Sequence, residues 1–275
     1  MRKAICHYSF HRRWDREKWT VDRLAEEVKS LGVEGVDFHV RYLGSPTEAP
    51  ELIKLALKKH KRLLSGLSMS NDFNQADPDK FQAQVDTVKQ WIAVAARVKA
   101  PVSRVFGGHL PREERMDPHA KAAGRQRILD ALGQVVREAE RSGIVLALEN
   151  HGGLPCTGEE QVDVIEAIHS PFLKATIDVG NYMQGGQEGH VGTKIAARHC
   201  AYVHFKDYVK VPDASLPWGW TVKSCTVGEG DVDLRACVRI LKDAGYDGFI
   251  ALEYEGEEDE RVGVPKSVAC MNEVM

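Results

Sequence analysis

Short apolar runs alternate along this chain with longer segments in which apolar residues recur every three or four positions. The runs are rich in β-branched residues and predict strands at 3–9, 33–40, 62–69, 102–108, 144–150, 174–181, 201–208 and 249–256. The longer segments predict helices, because an α-helix turns once every ~3.6 residues. These helices fall at about 18–31, 50–60, 78–98, 118–142 and 231–244, with one after Thr157 and a Gly-interrupted one after the sixth strand.

Local signals predict where several of these helices begin or end. Gly32 ends the first helix. Asp77 precedes Pro78 and is a capping candidate, and Thr157 with Glu160 forms a capping-box pattern. The turn GEGD (228–231) leads into a helix that we expect Asp231 to cap.

The alternation of strands and helices predicts repeated βα units. It runs from Met1 to Met275 without an obvious linker, so we expect one domain, a closed (β/α)8 TIM barrel. An open doubly wound sheet is the main rival, but no G-x-G-x-x-G follows the first strand, so its nucleotide-binding form lacks its fingerprint. Long loops follow the fourth and seventh strands, at the barrel end where enzymes of this fold place their chemistry.

Composition narrows the class of protein and its partners. The chain has 275 residues, 43% of them hydrophobic, and no apolar stretch long enough to span a bilayer. Its basic N-terminus lacks the apolar region of a secretory signal, so we expect a cytoplasmic protein that does not bind membranes. A net charge of −3 gives no footprint for nucleic acid, and the six cysteines lack C-x-x-C spacing and fit reduced, packed thiols. Small molecules are the expected partners.

Four polar residues stand at the ends of the last four predicted strands. They are Glu149, Asp178, His204 and Glu253. In a barrel these strands are neighbours, so the side chains would converge on one space. Three carboxylates cannot lie together unpaired, and a divalent cation would resolve the conflict. The mixed oxygen and imidazole set suits Mn²⁺, Mg²⁺, Co²⁺ or Zn²⁺.

Other polar side chains near the strand ends are candidates for contacts with a substrate. His151 follows Glu149 by two residues and either binds substrate or anchors its loop. Lys206 stands two residues after His204 and either stabilises an oxyanion or forms an ion pair with Asp178 or Asp207.

The remaining candidates lie further from these strand ends. His39 and His109 could donate to and accept from hydroxyl groups, whereas His7 fits a core position better. Trp218 lies in the loop after the seventh strand, where it could stack on a sugar or simply pack the loop. Lys210 and Glu229 are weaker candidates.

Five segments carry a resemblance to a known family. They are LALENHGG (146–153), IDVGN (177–181), VHFKD (203–207), VGEGDVDL (227–234) and IALEYEG (250–256). In this order they resemble the xylose isomerase-like barrel superfamily. That superfamily includes sugar phosphate isomerases and epimerases, enzymes of the tagatose 3-epimerase type, hydroxypyruvate isomerases, inosose dehydratases and apurinic endonucleases.

The resemblance implies a metal site and a reaction. Glu149, Asp178, His204 and Glu253 would bind one divalent ion, usually Mn²⁺, and the two glutamates would exchange the proton beside a carbonyl. We therefore expect an isomerase or epimerase of an unphosphorylated keto sugar or polyol derivative that works through an enediolate. The alternatives are an inosose-type dehydratase or keto-glycoside lyase and, further off, a non-catalytic barrel subunit or an apurinic endonuclease. The protein could form a homo-oligomer, either a dimer or a tetramer.

One position departs from the family pattern. Many relatives carry a histidine three residues after the sixth-strand aspartate, where this chain has Asn181. The difference argues against the three-zinc site of the endonucleases. Asn181 remains a candidate for a hydrogen bond to a substrate hydroxyl.

Overall fold

A computed structural model describes residues 1–275 and shows a closed barrel of eight parallel strands. The strands are β1 (Arg2–Cys6), β2 (Gly35–His39), β3 (Leu63–Ser68), β4 (Ser103–Phe106), β5 (Leu146–Glu149), β6 (Leu173–Asp178), β7 (Cys200–Phe205) and β8 (Phe249–Leu252). Each strand pairs with the next along the chain, and β8 pairs with β1 to close the barrel. The predicted (β/α)8 fold is confirmed.

Nine α-helices surround the barrel. They are α1 (His11–Glu17), α2 (Val21–Ser30), α3 (Ala49–His60), α4 (Pro78–Val98), α5 (Pro118–Ser142), α6 (Gly158–Ile168), α7 (Gly189–Ala196), α8 (Leu234–Asp243) and α9 (Glu260–Val274). None of them is both long enough and apolar enough to cross a bilayer. All six cysteines are unpaired.

The first predicted helix, 18–31, is wrong at its start. Lys18 adopts a left-handed conformation with φ 53° and ends α1. Thr20 then caps α2 by accepting a hydrogen bond from the Arg23 backbone N–H at 3.2 Å. The first predicted strand is also too long, because the chain turns into a 3₁₀ helix at His7–Phe10.

Capping residues at two further helices are confirmed and one prediction is corrected. Asp77 accepts from two backbone N–H groups of α4, and Thr157 accepts from the Glu160 N–H at 3.3 Å. Asp231 does not cap α8. Asp233 does, by accepting from the Ala236 N–H at 2.8 Å. Asp231 instead accepts from the Lys210 N–H at 2.7 Å.

The N-terminal half of the barrel interior is filled by small residues around one aromatic ring. Ala4, Ala147 and Ala251 pack with Val102 and Tyr202. The alanines leave room for the Tyr202 ring, whose hydroxyl lies 2.9 Å from Ser65 Oγ. This packed layer closes the barrel interior on the side of the amino ends of the strands.

Two small two-stranded sheets lie beyond the carboxyl ends of the strands. Residues Gly108–His109 pair with Gly153–Leu154, and Tyr208–Pro212 pair with Trp220–Ser224, both antiparallel. The first of these sheets needs the two glycines that follow His151. Both have positive φ, and a Cβ at Gly152 would lie 3.0 Å from the Gly108 carbonyl oxygen.

Candidate active site

The structure brings the four strand-end residues together. One ligand atom from each of Glu149, Asp178, His204 and Glu253 lies within 4.8 Å of the others, and all four residues are buried. The strand register causes this convergence, because Asp178 pairs with His204 and His204 with Ala251. The convergence expected from the sequence is therefore present.

His204 is oriented by a carboxylate that the sequence reasoning did not select. Asp37 on β2 lies with Oδ2 3.1 Å from His204 Nε2, and Ser68 Oγ donates to the same oxygen at 2.7 Å. His204 Nδ1 then points to Glu149 Oε1 at 3.7 Å and Glu253 Oε1 at 3.6 Å. A metal-binding histidine commonly donates its other ring N–H to a carboxylate in this way.

Asp178 is held by the backbone that follows it. Its Oδ1 accepts from the N–H groups of Gly180 and Asn181, at 2.9 and 3.0 Å. Asn150 bridges to the same strand by exchanging two hydrogen bonds with the Asp178 backbone, each 2.9 Å. These contacts fix one carboxylate oxygen and leave Oδ2 without a hydrogen-bond partner.

Lys206 forms ion pairs within the cluster. Its buried Nζ lies 2.7 Å from Glu253 Oε2, 3.2 Å from Glu255 Oε1 and 3.4 Å from Asp178 Oδ2. The expected ion pair with Asp178 is present. None forms with Asp207, whose carboxylate instead accepts hydrogen bonds from four backbone N–H groups, those of Tyr208, Gly228, Gly230 and Val232.

Glu149 has a buried cation of its own, which the sequence reasoning missed. Arg104 Nε on β4 lies 3.0 Å from Glu149 Oε2, although the two groups are not aligned for a hydrogen bond. Asn181 Nδ2 donates to the other oxygen, Oε1, at 3.3 Å. The expectation that a divalent cation alone offsets the carboxylates is therefore incomplete.

The buried charges shift the pKa values of the cluster in different directions. Burial raises the pKa of Asp178 to about 7, although Lys206 acts against the shift. Burial would also raise the pKa of Glu149, but Arg104 and His204 hold it below its usual value. Glu253 lies well below its usual pKa for the same reason, with Lys206 and His204 opposing burial. Asp178 is therefore the carboxylate that must lose a proton when a cation binds near neutral pH.

The cluster fits a divalent cation on two structural grounds. Asp178 Oδ2 and His204 Nδ1 are buried and lack hydrogen-bond partners, which is costly unless another group binds them. Four buried carboxylates, those of the three acidic cluster residues and of Asp37, also face only two permanent buried cations, Arg104 and Lys206. Although burial acts against it, Glu253, Asp37 and Glu149 raise the pKa of His204 well above its usual value, so the imidazole carries a proton whose positive charge a bound divalent ion would replace.

Cys6 is a less suitable ligand. Its Sγ lies 3.6 Å from Glu253 Oε1 and could join His204 and Glu253 in a second ligand set. Burial raises the pKa of this thiol well above its usual value, so the thiolate that binds metals is disfavoured.

His151 and His109 line one cavity beside the cluster. The cavity has a volume of about 360 Å³, and its other walls come from residues 70–72, Gln84, Phe106 and Gly108. His151 stacks on Phe106 with ring centroids 4.2 Å apart, and burial lowers its pKa to about 4. His151 is therefore a neutral imidazole that is held in place by an aromatic ring.

The other predicted substrate residues have protein partners or lie at the rim. Asn181 Oδ1 accepts from the Tyr208 hydroxyl at 3.1 Å, and His39 Nδ1 accepts from the Arg41 N–H at 3.3 Å. Trp218 packs on Gly186 beside Trp220, outside the cluster.

Three weaker candidates have structural roles. Lys210 pairs with Glu188, and the exposed Glu229 lies 3.5 Å from Lys266 Nζ. His7 is fully buried within an aromatic group, as its core assignment predicted.

Arg104 and Asp37 carried a signal in the sequence that was overlooked. Each is a charged residue inside an apolar strand, in SRVF and GVDFH. Glu149 was identified by the same feature, a charged residue in an apolar strand. The signal identifies a buried charge, but its partner, on the next strand for Arg104 and three strands away for Asp37, becomes visible only in the folded barrel.

The fold and the cluster define a parallel barrel protein with a buried carboxylate and imidazole site at the carboxyl ends of its strands. The chain belongs to the family of xylose isomerase-like TIM barrels, whose model matches residues 25–274.

Individual relatives are more distant. L-ribulose-5-phosphate 3-epimerase UlaE of Escherichia coli K12 is 24% identical over 217 residues, covering 78% of this chain and 68% of the relative. A D-tagatose 3-epimerase-like protein superposes with a TM-score of 0.77 at 18% identity, over 100% of this chain and 97% of the other. The probable 3-DHS dehydratase AsbF of Bacillus anthracis gives 0.77 at 16% identity, over 99% of each chain. At these identities the structural matches show the fold.

Proposed function

We propose that this protein is a divalent-metal-dependent epimerase or isomerase of a keto sugar or related polyol derivative. One observation carries the proposal: Glu149, Asp178, His204 and Glu253 present ligand atoms within 4.8 Å of one another in a buried site. The similarity to UlaE and to the D-tagatose 3-epimerase-like protein supports the reaction class.

The four residues of the cluster would hold the ion, and Mn²⁺ is our first choice among Mn²⁺, Mg²⁺, Co²⁺ and Zn²⁺. When bound, the ion supplies a Lewis acid that stabilises negative charge developing on a substrate carbonyl. Glu149 and Glu253 are ionised in the structure, since Arg104 and Lys206 lower their pKa values against the effect of burial. Each can therefore take up a proton from the carbon beside the carbonyl or return one to it.

The cavity beside the cluster would bind the rest of the substrate. Its volume of about 360 Å³ and its polar lining suit a small sugar. His109 and His151 can each donate to one hydroxyl and accept from another. The cavity lining contains no lysine or arginine, which favours a substrate whose distal end is uncharged.

A lyase is the second candidate. The superposition on AsbF over 99% of each chain favours it. A lyase would remove the same proton and then expel a leaving group from the next carbon, so both reactions would use the same carboxylates.

Proton transfer in deuterium oxide would separate the two reactions. Purified protein loaded with Mn²⁺ would be incubated with D-tagatose and, separately, with L-ribulose 5-phosphate, and the products would be analysed by NMR. We expect deuterium at the carbon beside the carbonyl and a new diastereomer. Glu253→Gln should abolish the exchange. The matched control is Glu257→Gln, which changes an exposed rim carboxylate whose partner is Lys223 and should retain the exchange.

The outcomes distinguish the proposals clearly. An unsaturated or cleaved product would replace the epimerase with the lyase. Absence of exchange with both sugars under Mn²⁺, Mg²⁺ and Co²⁺ would contradict the proposed reaction.

A further inference from the structure

Arg104 is a permanent cation inside the barrel. Its side chain is 1% exposed, and an arginine cannot lose its proton at any accessible pH. Burying such a charge is costly unless a counter-charge lies close. Glu149 supplies it, with Oε2 3.0 Å from Arg104 Nε.

Two further contacts fix the orientation of the guanidinium group. Nη1 donates to the Met69 carbonyl oxygen at 2.9 Å. The guanidinium carbon lies 3.9 Å from the ring centroid of Phe106, the same ring on which His151 stacks. These contacts hold the guanidinium group of Arg104 in one position relative to Glu149.

These contacts make the two oxygens of Glu149 different. Oε2 faces Arg104, whereas Oε1 accepts from Asn181 Nδ2 at 3.3 Å and lies 3.7 Å from His204 Nδ1. The carboxylate is thus held at both ends, and only Oε1 faces the imidazole of the cluster.

Glu253 has a different kind of partner. Its Oε2 pairs with Lys206, an ammonium group on a flexible stem that Glu255 and Asp178 share. Arg104 has no second carboxylate within 4.0 Å. The planar guanidinium group of Arg104 therefore pairs with Glu149 alone.

We propose that Arg104 is a positioning residue that holds Oε2 of Glu149 and thereby directs Oε1 into the cluster. The inference rests on the proposed function and deepens it, because it assigns the alignment of one of the two proton-transferring carboxylates to a residue on a different strand. Arg104 acts through Glu149 and has no contact of its own with the other ligand residues.

The test uses two variants of the full chain and a matched control. Arg104→Met removes the charge and the 3.0 Å ion pair with Glu149, and Arg104→Lys keeps the charge but loses the planar group. The control is Arg13→Met, because Arg13 is also buried, pairs with Glu17 and Glu27 and lies over the Trp19 ring, away from the cluster. Mn²⁺ affinity by calorimetry, the visible absorption of the Co²⁺-loaded protein, and kcat and KM on the ketose that exchanges deuterium would be measured.

We expect Arg104→Met to bind Mn²⁺ at least as tightly as the parent, since a positive charge near the cation has been removed. Its Co²⁺ spectrum should change because Glu149 is free to turn. Misplaced reacting groups lower kcat, so kcat should fall about 100-fold in both Arg104 variants while KM changes by less than about threefold. Arg13→Met should match the parent in the Mn²⁺, Co²⁺ and kinetic measurements.

Two results would overturn the inference. In the first, both Arg104 variants retain kcat within about threefold and the parental Co²⁺ spectrum. In the second, both variants fold but lose Mn²⁺ binding together with kcat, which would mean that Arg104 builds the whole site. A parent that binds no divalent ion would instead refute the proposed function, so the two failures are distinguishable.

Discussion

Each buried charge of the site has a partner on another strand. Glu149 pairs with Arg104 and Glu253 with Lys206. Asp37 lies against the imidazole of His204. Pairing of this kind lets charges stay in an interior where an isolated ion would be neutralised. It also means that altering one residue leaves its partner as an uncompensated group.

His7 is the opposite case, a buried polar side chain without a partner. Neither ring nitrogen has a hydrogen bond, and its ring lies 4.3 Å from that of Trp14 and 4.5 Å from that of Tyr42. Burial lowers the pKa of His7 to about 3. The imidazole is therefore neutral in the folded protein over the whole range in which proteins are usually studied.

We predict that His7 makes the protein less stable as the pH falls. An unfolded histidine has a pKa near about 6.5, so below that pH the unfolded chain takes up a proton that the folded chain does not. The free energy of unfolding should drop by up to about 1.4 kcal/mol per pH unit from pH 6.5 towards pH 3, and His7→Phe should remove this contribution.

Urea unfolding at several pH values measures the effect of His7. The comparison is His119→Phe, which changes an exposed histidine and should leave the slope of the parent intact. Equal slopes in the parent and His7→Phe would show that His7 is not the source.

The candidate ligands could be found from sequence because each of them stands at the end of an apolar run. Their partners could not. Asp37 is 167 positions from His204, and Arg104 is 45 positions from Glu149. A strand pattern gives the face and end at which a residue lies but not the residue across the barrel, because that depends on register and on side-chain direction.

At the level of elements, the segment before α8 shows why one cap was misassigned. Asp231 and Asp233 both precede an apolar periodic segment, and both are residues that cap helices well. The choice depends on the backbone between them. Asp207 accepts hydrogen bonds from the N–H groups of Gly228, Gly230 and Val232 and holds the loop so that Asp233 reaches the helix end.

We predict that the two aspartates differ in their effect on stability. Asp233→Ala should lower the free energy of unfolding by about 1 kcal/mol, because the Ala236 N–H loses its acceptor. Asp231→Ala should cost less than about 0.5 kcal/mol, since its one hydrogen bond, to the Lys210 N–H, lies at the surface. Chemical denaturation of the two variants measures the difference, and equal losses would contradict the structure.

The loop also depends on one glycine. A Cβ at Gly230 would collide with Asp207 Oδ1 and with Cys225 Sγ. We predict that Gly230→Ala lowers the free energy of unfolding by about 1–3 kcal/mol, because the carboxylate cannot move without releasing its backbone donors.

Gly133 supplies the contrast to Gly230. It lies within α5, and no other group lies within 4 Å of the place that a Cβ would occupy, so Gly133→Ala should stabilise the helix by up to about 1 kcal/mol. Thermal and chemical denaturation would compare both variants with the parent. Two variants of equal stability would mean that the carboxylate and its loop adjust freely.

For the whole molecule, the repeating pattern was sufficient to predict the barrel. Eight apolar runs at regular intervals leave few other ways to bury every strand on both faces. The two small sheets beyond the strand ends were not predictable in the same way. In the first, two-residue strands at Gly108–His109 and Gly153–Leu154 pair across 44 and 46 positions of the chain and are too short to have a period.

The last prediction concerns the protein as a whole, because a ligand that binds only the folded state stabilises all of it. The four metal candidates come from four strands between residues 149 and 253, so they meet only in the closed barrel. Mn²⁺ at about 100 times its dissociation constant should therefore add about 2.7 kcal/mol to the free energy of unfolding. For a chain of this size the gain corresponds to an increase in Tm of about 5–10 °C. Asp178→Asn, which replaces a ligand with a group of nearly the same shape, should lose most of this gain, whereas Glu257→Gln should keep it.

Thermal unfolding of protein first treated with EDTA, with and without Mn²⁺, measures the effect. If neither Mn²⁺ nor Mg²⁺, Co²⁺ or Zn²⁺ raised the Tm of the parent, the buried carboxylates would have to be balanced by Arg104, Lys206 and protons alone, and the metal site would be wrong.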